Sequence, residues 1–544
     1  MRSRAFRVAG VVVAAAALCV PAALSGTGES PAPDDALLRL TAFHPLDPAA
    51  YAATKAAADA RAGDFSGSSE AAPASPFAPT VFANAEGQNM LSPLQNIAPS
   101  DSTGAIGPTS YVELINQKMG IYSRTLGLMD SKSLNTLTGL GGSDSLFDVQ
   151  IIWDGQSNRF FYAMDDVRNT SNNLLAWGFS KTGSPATATP ADWCSYQSNF
   201  GTYGSDFPDY PKLGDTKDFL LIGVNRFNGA GTAYLGSDVA WATKPPAGTI
   251  TSCPPITSFK LGVKVKLKNV DGSLTSTPVP ANQTDPAGTG YVVGNHDVGV
   301  GGSATDLSVF KVTKNTVTGA AKFSVAKSAS VASYSAPPSA PQAGTAFRLD
   351  TLDGRLTQAV SGLDGNHLDP GTGKPLVGLW TQQTIATPNG LASEVRWYEI
   401  DPKNATLFQS GDVTAANTFV FNGAITPDRL YFKDPVTAVV TKKFGSNMGL
   451  GFDTSSLTAD VAVKMVSKIG AGPVSSFVLV KQSPGPNADF TCSPVCRWGD
   501  YAGASPDPSP TLTSGQVWFT SMWNHASSNT TNIDWTTQNW GATP

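Results

Sequence analysis

The chain has 544 residues and a formal net charge of −5, from 37 Lys and Arg against 42 Asp and Glu. This slightly acidic balance argues against a protein that binds nucleic acid or an anionic membrane through a large basic surface. Hydrophobic residues make up 41% of the chain, enough to form a core, so the composition excludes disorder over most of the length.

The N-terminus has the pattern of an export signal. Three arginines precede the apolar run Val8–Ala23, and the small residues Ala23 and Ser25 fit cleavage by a signal peptidase. A membrane anchor is the weaker interpretation, because this run is shorter than the roughly 20 apolar residues that span a bilayer. We therefore predict a signal peptide at residues 1–25 of a secreted, extracellular protein without a membrane span.

Residues 26–80 are rich in Ala, Pro and Ser, and we interpret them as a pro-region or flexible spacer. Within them, Asp47 is a candidate N-cap of one short Ala-rich helix, which Gly63 would end. A packed subdomain is the alternative, and the lack of an apolar stripe in this segment disfavours it.

From residue 81 to the C-terminus the chain repeats one unit, which is an apolar strand, a turn rich in Gly, Asn or Asp, and a second strand of alternating polarity. The recognisable units begin at Tyr111, Arg159, Phe219, Tyr291, Leu376, Ala438 and Val517. Their spacing of roughly 50 to 85 residues is typical of propeller blades with loop insertions. We predict an all-β fold, a β-propeller over residues 81–544.

Seven blades is the predicted number, with six or eight as the alternatives. The last strand, near Trp518, and the segment before Tyr111 would share one blade, because this closes the ring and covers strand edges. A pair of β-sandwiches is the alternative fold.

Of the 5 cysteines, Cys19 lies in the predicted signal peptide. We predict one disulfide between Cys492 and Cys496, which flank a tight loop, and a second between Cys194 and Cys253. Zinc binding is the alternative, but no further Cys or His pair completes a set of four ligands.

A resemblance rests on the repeat, on the stretch Ser180–Pro185 followed by Trp193, and on the motif Arg497–Tyr501. These features resemble exported β-propeller proteins of high-GC bacteria, which are often grouped with sialidase-like propellers. The chain departs from the Asp-box of sialidases, because Thr182 replaces the aspartate of that pattern. The function of this group is not established, so the resemblance implies a fold and not an activity.

Ligands of propellers usually bind at one mouth of the central channel, where the first strand of each blade begins. Short polar motifs precede the repeated units at these positions. They are Asp101, Asp148, Asp209 with Tyr210, Asn295 with His296, Asp353 with Arg355, Asn447, and Arg497–Tyr501.

Glycosidic cleavage uses two carboxyl groups, and we predict Asp209, Asp353 and Asp500 as the catalytic carboxylates. The predicted substrate-binding residues are Arg355, Arg497, Tyr210, Tyr501 and His296. An arginine of this set would bind a substrate carboxylate through two parallel hydrogen bonds. The alternative is that these polar residues cap turns and tie neighbouring blades together.

Metal binding is not predicted. His296, His367 and His525 lie on separate units, which disfavours a transition-metal site. A Ca²⁺ loop stays open as an alternative, although no EF-type loop occurs, so we predict no cofactor. Aromatic residues near the C-terminus, Trp523, Trp535 and Trp540, are candidates to stack on sugar rings.

Two functional hypotheses follow. The first is a non-catalytic exported propeller that binds an extracellular glycan or a cell-surface protein. The second is a secreted carbohydrate-active enzyme, a sialidase-like glycoside hydrolase that uses a pair of carboxylates. Two carboxylates on opposite sides of one open pocket would favour the enzyme.

Overall fold

The structure is a computed structural model. It describes residues 44–63, 78–89, 97–141, 144–169, 171–285, 288–300, 302–429, 445–509, 511–524 and 534–544. The predicted signal peptide, the first strand of the unit that begins at Ala438, and His525 lie outside the described residues.

The described strands form seven sheets of four or five strands and one small sheet of three. Sheet 7 contains β1 (Thr80–Asn89), and sheet 1 contains β2 (Thr103–Ile106), β3 (Ser110–Ile115), β4 (Lys118–Ser123) and β5 (Leu128–Ser133). Sheet 2 contains β6 (Ser145–Asp154), β7 (Arg159–Asn169), β8 (Asn172–Ser180) and β9 (Trp193–Ser198). Sheet 3 contains β10 (Asp206–Asp215), β11 (Phe219–Asn228), β12 (Tyr234–Thr243) and β13 (Leu261–Lys264).

Sheet 4 contains β14 (Ser276–Pro280), β16 (Gly290–Asn295), β17 (Ala304–Lys314), β18 (Ala321–Phe323) and β19 (Lys327–Tyr334). Sheet 5 contains β15 (Asn282–Gln283), β22 (Leu356–Leu368), β23 (Pro375–Ala386), β24 (Ser393–Asp401) and β25 (Thr406–Val413). Sheet 6 contains β26 (Phe419–Pro427), β27 (Met448–Ser456), β28 (Ala459–Lys468) and β29 (Val478–Gln482).

Sheet 7 is completed by β31 (Gly503–Pro506), β32 (Val517–Asn524) and β33 (Trp535–Thr543). The small sheet contains β20 (Ala340–Pro341), β21 (Arg348–Leu349) and β30 (Val495–Cys496). The described helices are α1 (Pro48–Ala62), α2 (Leu134–Thr138) and two 3-10 turns, Ile256–Ser258 and Val298–Val300.

The innermost strands of the seven sheets contact one another in a closed circle. In order they are β2, β6, β10, β14, β22, β26 and β31, and β31 contacts β2 again. The predicted β-propeller is thereby confirmed. As expected, the segment before Tyr111 and the strand that holds Trp518 share one sheet, because β1 pairs antiparallel with β33.

One apolar cluster fills each gap between neighbouring sheets, because successive side chains of a strand point to opposite faces. Phe160 packs between sheets 1 and 2, whereas Phe161 packs between sheets 2 and 3. Trp518 packs between sheets 7 and 1, whereas Phe519 packs between sheets 6 and 7. Both faces of a central strand are therefore buried, which explains the continuous apolar runs in the sequence.

This packing also overturns one prediction. Trp523, Trp535 and Trp540 have only 3%, 2% and 1% of their surface exposed, so they are not available to stack on a sugar. Trp523 and Trp540 belong to the cluster between sheets 6 and 7. The prediction relied on the polar residues that neighbour these tryptophans in the sequence. Those polar residues also face into the closed ring, so they do not indicate exposure.

Glu113, on β3, joins the two ends of the ring. Its carboxylate is fully buried and accepts hydrogen bonds from five groups on four strands. The donors are the Gln88 N–H at 3.2 Å, Tyr122 Oη at 2.7 Å, Thr520 Oγ1 at 3.2 Å, Asn539 Nδ2 at 2.9 Å and the Thr537 hydroxyl. One carboxylate therefore connects sheet 1 with three strands of sheet 7.

Both predicted disulfides are confirmed, Cys194 with Cys253 and Cys492 with Cys496. No described helix is long and apolar enough to cross a membrane.

Helix α1 begins and ends where the sequence predicts. The Asp47 carboxylate accepts the N–H of Ala50 at 3.0 Å, and Gly63 ends the helix with a positive φ of 51°. The helix is packed against the propeller, with Lys55, Ala58 and Ala62 buried. This part of the predicted spacer is therefore structured.

Replacing Glu113 by Gln should lower the free energy of unfolding by about 3 kcal/mol, because an amide group turns an N–H toward buried donors. Denaturant unfolding of the purified protein measures this loss. The matched control is Glu86→Gln on strand β1, whose side chain is exposed. Equal stabilities of the two variants would contradict the role of Glu113 in ring closure.

Candidate ligand site

Local backbone geometry turns polar side chains of the innermost strands toward the axis. Asp148 and Tyr210 have positive φ values of 54° and 58°, and each lies at a β-bulge of its strand. Asn422 of β26 has the same backbone conformation at a bulge, with φ 51°, but its side chain donates to Asp453 Oδ2 at 2.8 Å. A bulge interrupts the alternation of side chains between the two faces of a strand and changes the direction of one side chain. Side chains that would otherwise point into the gaps between sheets can therefore point toward the axis.

Most of the predicted site residues meet at this centre. We call the following group the axial cluster: Asp148, Asp209, Tyr210, Lys212, Asp353, Arg355, Arg497, Asp500 and Tyr501. The Tyr210 hydroxyl donates to the Asp500 carbonyl at 2.7 Å, and the Tyr501 hydroxyl donates to Asp148 Oδ2 at 2.8 Å. Residues from sheets 2 and 3 and from the segment before β31 thus share one hydrogen-bond network, and the Arg355 guanidinium, from the segment before β22, lies 4.6 Å from the ring centre of Tyr210.

Lys212 lies at the middle of the axial cluster, and sequence reasoning missed it. Its ammonium is 3.7 Å from the ring centre of Tyr210 and 3.5 Å from that of Tyr501. Burial lowers the pKa of Lys212 well below its usual value. The two rings provide cation–π contacts in place of water.

The two arginines are paired with aspartates of their own motifs. Arg355 donates to Asp353 through two parallel hydrogen bonds of 2.8 and 2.7 Å. Arg497 Nη2 makes a short contact with Asp500 Oδ2. Burial alone would raise the pKa of Asp353, but Arg355 holds it below its usual value.

The predicted catalytic carboxylates of the axial cluster are buried. Asp209, Asp353 and Asp500 have 7%, 5% and 4% of their surface exposed. Burial, and then the charge of Asp209, raises the pKa of Asp148 to about 6. Buried carboxylates of this kind hold neighbouring sheets together. This is the structural role that we considered from the sequence as the alternative to catalysis.

The N-terminal segment covers this cluster. The Tyr51 hydroxyl donates to Asp350 Oδ1 at 3.3 Å, and Lys55 Nζ donates to the carbonyls of Pro337 and Leu352 at 2.9 and 3.0 Å. His44 Nδ1 lies 3.4 Å from Asp209 Oδ1. Helix α1 and the residue stretch before it therefore lie over the side of the axis that carries the predicted catalytic carboxylates.

His296 lies apart from the axial cluster, in an open pocket of about 570 Å³ on sheet 4. We call this the acidic pocket. It is lined by Val270, Asp271, His296, Asp297, Val298, Ser303, Ala304, Thr305, Asp306 and Ser328. Its Asp271, Asp297 and Asp306 were not among the predicted site residues, because nothing in their local sequence marks them as facing one cavity.

Hydrogen bonds hold the imidazole of His296 in place. Its Nε2 is 3.0 Å from Asp306 Oδ1, and its Nδ1 is 3.3 Å from Asn269 Nδ2. Both His296 and Asp306 keep 24% of their side-chain surface exposed, so a ligand can reach them.

Asp297 connects the acidic pocket with the axial cluster. Burial, and then the charge of Asp353, raises the pKa of Asp297 to about 7. On the opposite, exposed side, hydrogen bonds from the hydroxyl and N–H of Ser273 lower the pKa of Asp271. One pocket thus holds a carboxyl group that protonates near neutral pH and another that stays ionised.

A second cavity, of about 630 Å³, adjoins the acidic pocket at Val270. Its lining includes Lys264, Lys266 and Lys268 together with Phe310 and Phe323.

Asn447, another predicted position, instead donates to Asp428 Oδ2 at 2.9 Å.

No protein-family model matches this sequence, and no curated protein matches it either. Among solved structures, the hemagglutinin-neuraminidase of parainfluenza virus 5 is 9% identical, with a TM-score of 0.36 over 77% of this chain and 95% of that one. The sialidase of Trypanosoma rangeli is 9% identical, with a TM-score of 0.34 over 81% and 59%. The GH93 α-L-arabinofuranosidase of Fusarium graminearum is 8% identical, with a TM-score of 0.34 over 84% and 97%. Similarity at this level carries no information about the activity of this chain.

Replacing Asp500 by Asn should lower the free energy of unfolding by about 3 kcal/mol, because the Arg497 guanidinium then lies buried beside a neutral amide. Urea unfolding checks the change. Asp218→Asn is the matched control, since this carboxylate pairs with Lys314 at the surface and an exposed pair contributes less than about 1 kcal/mol. An Asp500→Asn protein as stable as the control would contradict a structural role of the Arg497–Asp500 pair.

Proposed function

We propose that the protein is an exported β-propeller that binds glycan in the acidic pocket, next to the mouth of the central channel. The observation that carries the proposal is the pocket itself, an open cavity of about 570 Å³ lined by three carboxylates, an imidazole and serine hydroxyls. Ligand pockets generally have volumes of about 300–1,000 Å³ and a few convergent polar groups.

The lining matches the chemistry of a sugar. Each sugar hydroxyl both donates and accepts hydrogen bonds, and a carboxylate accepts strong charge-assisted ones. Asp306 supplies such an acceptor, and the neighbouring imidazole of His296 holds it in place. Val270 and Val298 supply apolar surface for the C–H face of the sugar ring.

Charge selects among glycans. Lysine and arginine are absent from the described residues that line the acidic pocket, so an anionic sugar would meet like charge there. Arg355 and Arg497, the predicted partners of a substrate carboxylate, are paired with Asp353 and Asp500. The sugar at His296 is therefore neutral, and the lysine-lined cavity beyond Val270 accommodates the next unit of a longer chain.

Export is part of the same proposal. The signal peptide at residues 1–25 rests on the sequence, as does a pro-region or spacer within residues 26–80, of which helix α1 packs on the propeller. Two disulfides fit an oxidising, extracellular compartment. The partner is accordingly an extracellular glycan.

Replacing Asp306 by Asn should weaken binding of a neutral oligosaccharide by about tenfold or more, because a charge-assisted hydrogen bond contributes about 1.5–3 kcal/mol. The ligand is chosen from an array of neutral and acidic glycans, and calorimetric titration gives the affinity. Asp218→Asn changes a surface carboxylate in the turn between β10 and β11, serves as the control and should bind like the unmodified protein. Selective binding of acidic glycans, or equal affinities of both variants, would contradict the proposal.

Binding should also tighten as pH rises from 5 to 8. The pKa of Asp297 is about 7, so the group is mostly a neutral acid at pH 5 and mostly a carboxylate at pH 8, and the carboxylate is the stronger acceptor. The pH dependence is measured by titration at several pH values. Asp297→Asn should remove most of it, and an unchanged dependence in this variant would exclude Asp297 as its source.

Hydrolysis of the bound glycan is a second candidate function. It is favoured by the pKa values of Asp297 and Asp271, which are shifted in opposite directions. A carboxyl group with a pKa of about 7 can act as general acid, while an ionised one acts as base or nucleophile. If the protein is an enzyme, Asp297→Asn should abolish release of reducing sugar while the variant still binds the oligosaccharide. Turnover that survives in Asp297→Asn would exclude this mechanism, and absence of turnover in the unmodified protein leaves a binding protein.

A further inference from the structure

A second group of metal-ligating side chains lies in sheet 5, outside the acidic pocket and the axial cluster. Asp364 and His367 lie toward the end of β22, and Glu399 lies on β24. Strand β23 runs between them, and its Gly378 leaves space for the carboxylate of Glu399. A Cβ at residue 378 would lie only 2.4 Å from Glu399 Oε1.

The donor atoms of these three residues face one another at the spacing of metal ligands. His367 Nε2 is 3.5 Å from Asp364 Oδ2 and 3.7 Å from Glu399 Oε2. One ligand atom from each residue lies within 4.8 Å of the others. These separations are long for hydrogen bonds, whereas two ligands about 2.1 Å from one tetrahedral ion lie about 3.4 Å apart.

Neighbouring groups fix the orientation of the ligands. The ring of His367 stacks on Phe408 with a centroid distance of 3.9 Å and an interplanar angle of 7°. The Asn366 N–H and the Ser446 hydroxyl donate to Asp364 Oδ1, and Gln409 Nε2 donates to Glu399 Oε2 at 2.7 Å. Such outer contacts orient ligands in metal sites.

The remaining carboxylate oxygens have no donor from another described residue. Asp364 and Glu399 are fully buried, yet Asp364 Oδ2 and Glu399 Oε1 accept no hydrogen bond from any other described N–H or O–H group. A shared proton or a bound cation would satisfy them, and buried polar atoms without partners are costly. The ammonium of Lys468 faces these carboxylates but donates to the Gly470 carbonyl, so it balances one of two negative charges.

We propose that Asp364, His367 and Glu399 bind a divalent transition-metal ion, with Zn²⁺ as the best match. One imidazole nitrogen and two carboxylates suit zinc, whereas Ca²⁺ prefers oxygen ligands alone. His367 keeps 29% of its side-chain surface exposed, so the ion can enter and water can complete its coordination. The bound ion would tie β22 to β24 across β23. Neither the Cys and His pairs nor the EF-type loop that we considered from the sequence occurs here, and the sheet supplies two carboxylates beside one histidine instead.

The test is calorimetric titration of the metal-free protein with ZnCl2, together with thermal melting with and without zinc. We expect one zinc per chain at this site and a higher melting temperature with the metal. His367→Ala should weaken zinc binding more than about 100-fold, since loss of an outer contact alone costs roughly 10–100-fold. It should also remove the zinc-dependent rise in melting temperature.

Two further variants distinguish zinc binding in sheet 5 from zinc binding elsewhere. Glu399→Gln keeps the shape of a protonated glutamate, so it should fold and melt like the metal-free protein but gain nothing from zinc. Zinc binding that survives in His367→Ala and is lost in His296→Ala would assign the ion to the acidic pocket and overturn the proposal. A stabilising effect of CaCl2 in place of ZnCl2, or no binding of zinc, would overturn it as well.

Discussion

Closure of the ring is the constraint on which the rest of this structure depends. A sheet of four strands cannot cover its own two apolar faces, and each of the seven sheets buries them against its two neighbours. The two ends of the described propeller meet where β1 pairs with β33 in sheet 7, and the buried carboxylate of Glu113 on sheet 1 accepts hydrogen bonds from four donors of that sheet. If this junction opens, sheets 1 and 7 expose the cluster around Trp518.

The closed ring brings charges from separate parts of the chain into one small volume. Bulges at Asp148 and Tyr210 direct polar groups toward the axis, and the segments before β22 and β31 add two arginine–aspartate pairs. In so confined a space, opposite charges pair with each other and Lys212 lies between two aromatic rings. The axial cluster therefore resembles a polar core, and an open cavity with unshielded polar groups is found beside it, in the acidic pocket.

The sequence predicted the repeated pattern well, because alternation and apolar runs are local consequences of burial on two faces of a strand. It also predicted the capped helix at Asp47 and both disulfides, which depend on short motifs or on cysteine number. The predicted fold also indicated that most of the motif residues meet at the axis. It did not indicate that they are buried, because their exposure depends on pairing partners, such as Asp353 for Arg355, and on helix α1 above them. Asp297 and Glu399 could not be found from the sequence, because neighbours from other strands give these carboxylates their surroundings.

We infer that ring closure occupies the charges at the axis and leaves ligand binding to the acidic pocket. A crystal structure of the protein with a bound neutral oligosaccharide tests this inference. We expect sugar density against His296, Asp297 and Asp306, with helix α1 still seated over the axial cluster. Sugar density among Arg355, Arg497 and Asp500, with helix α1 displaced, would contradict it.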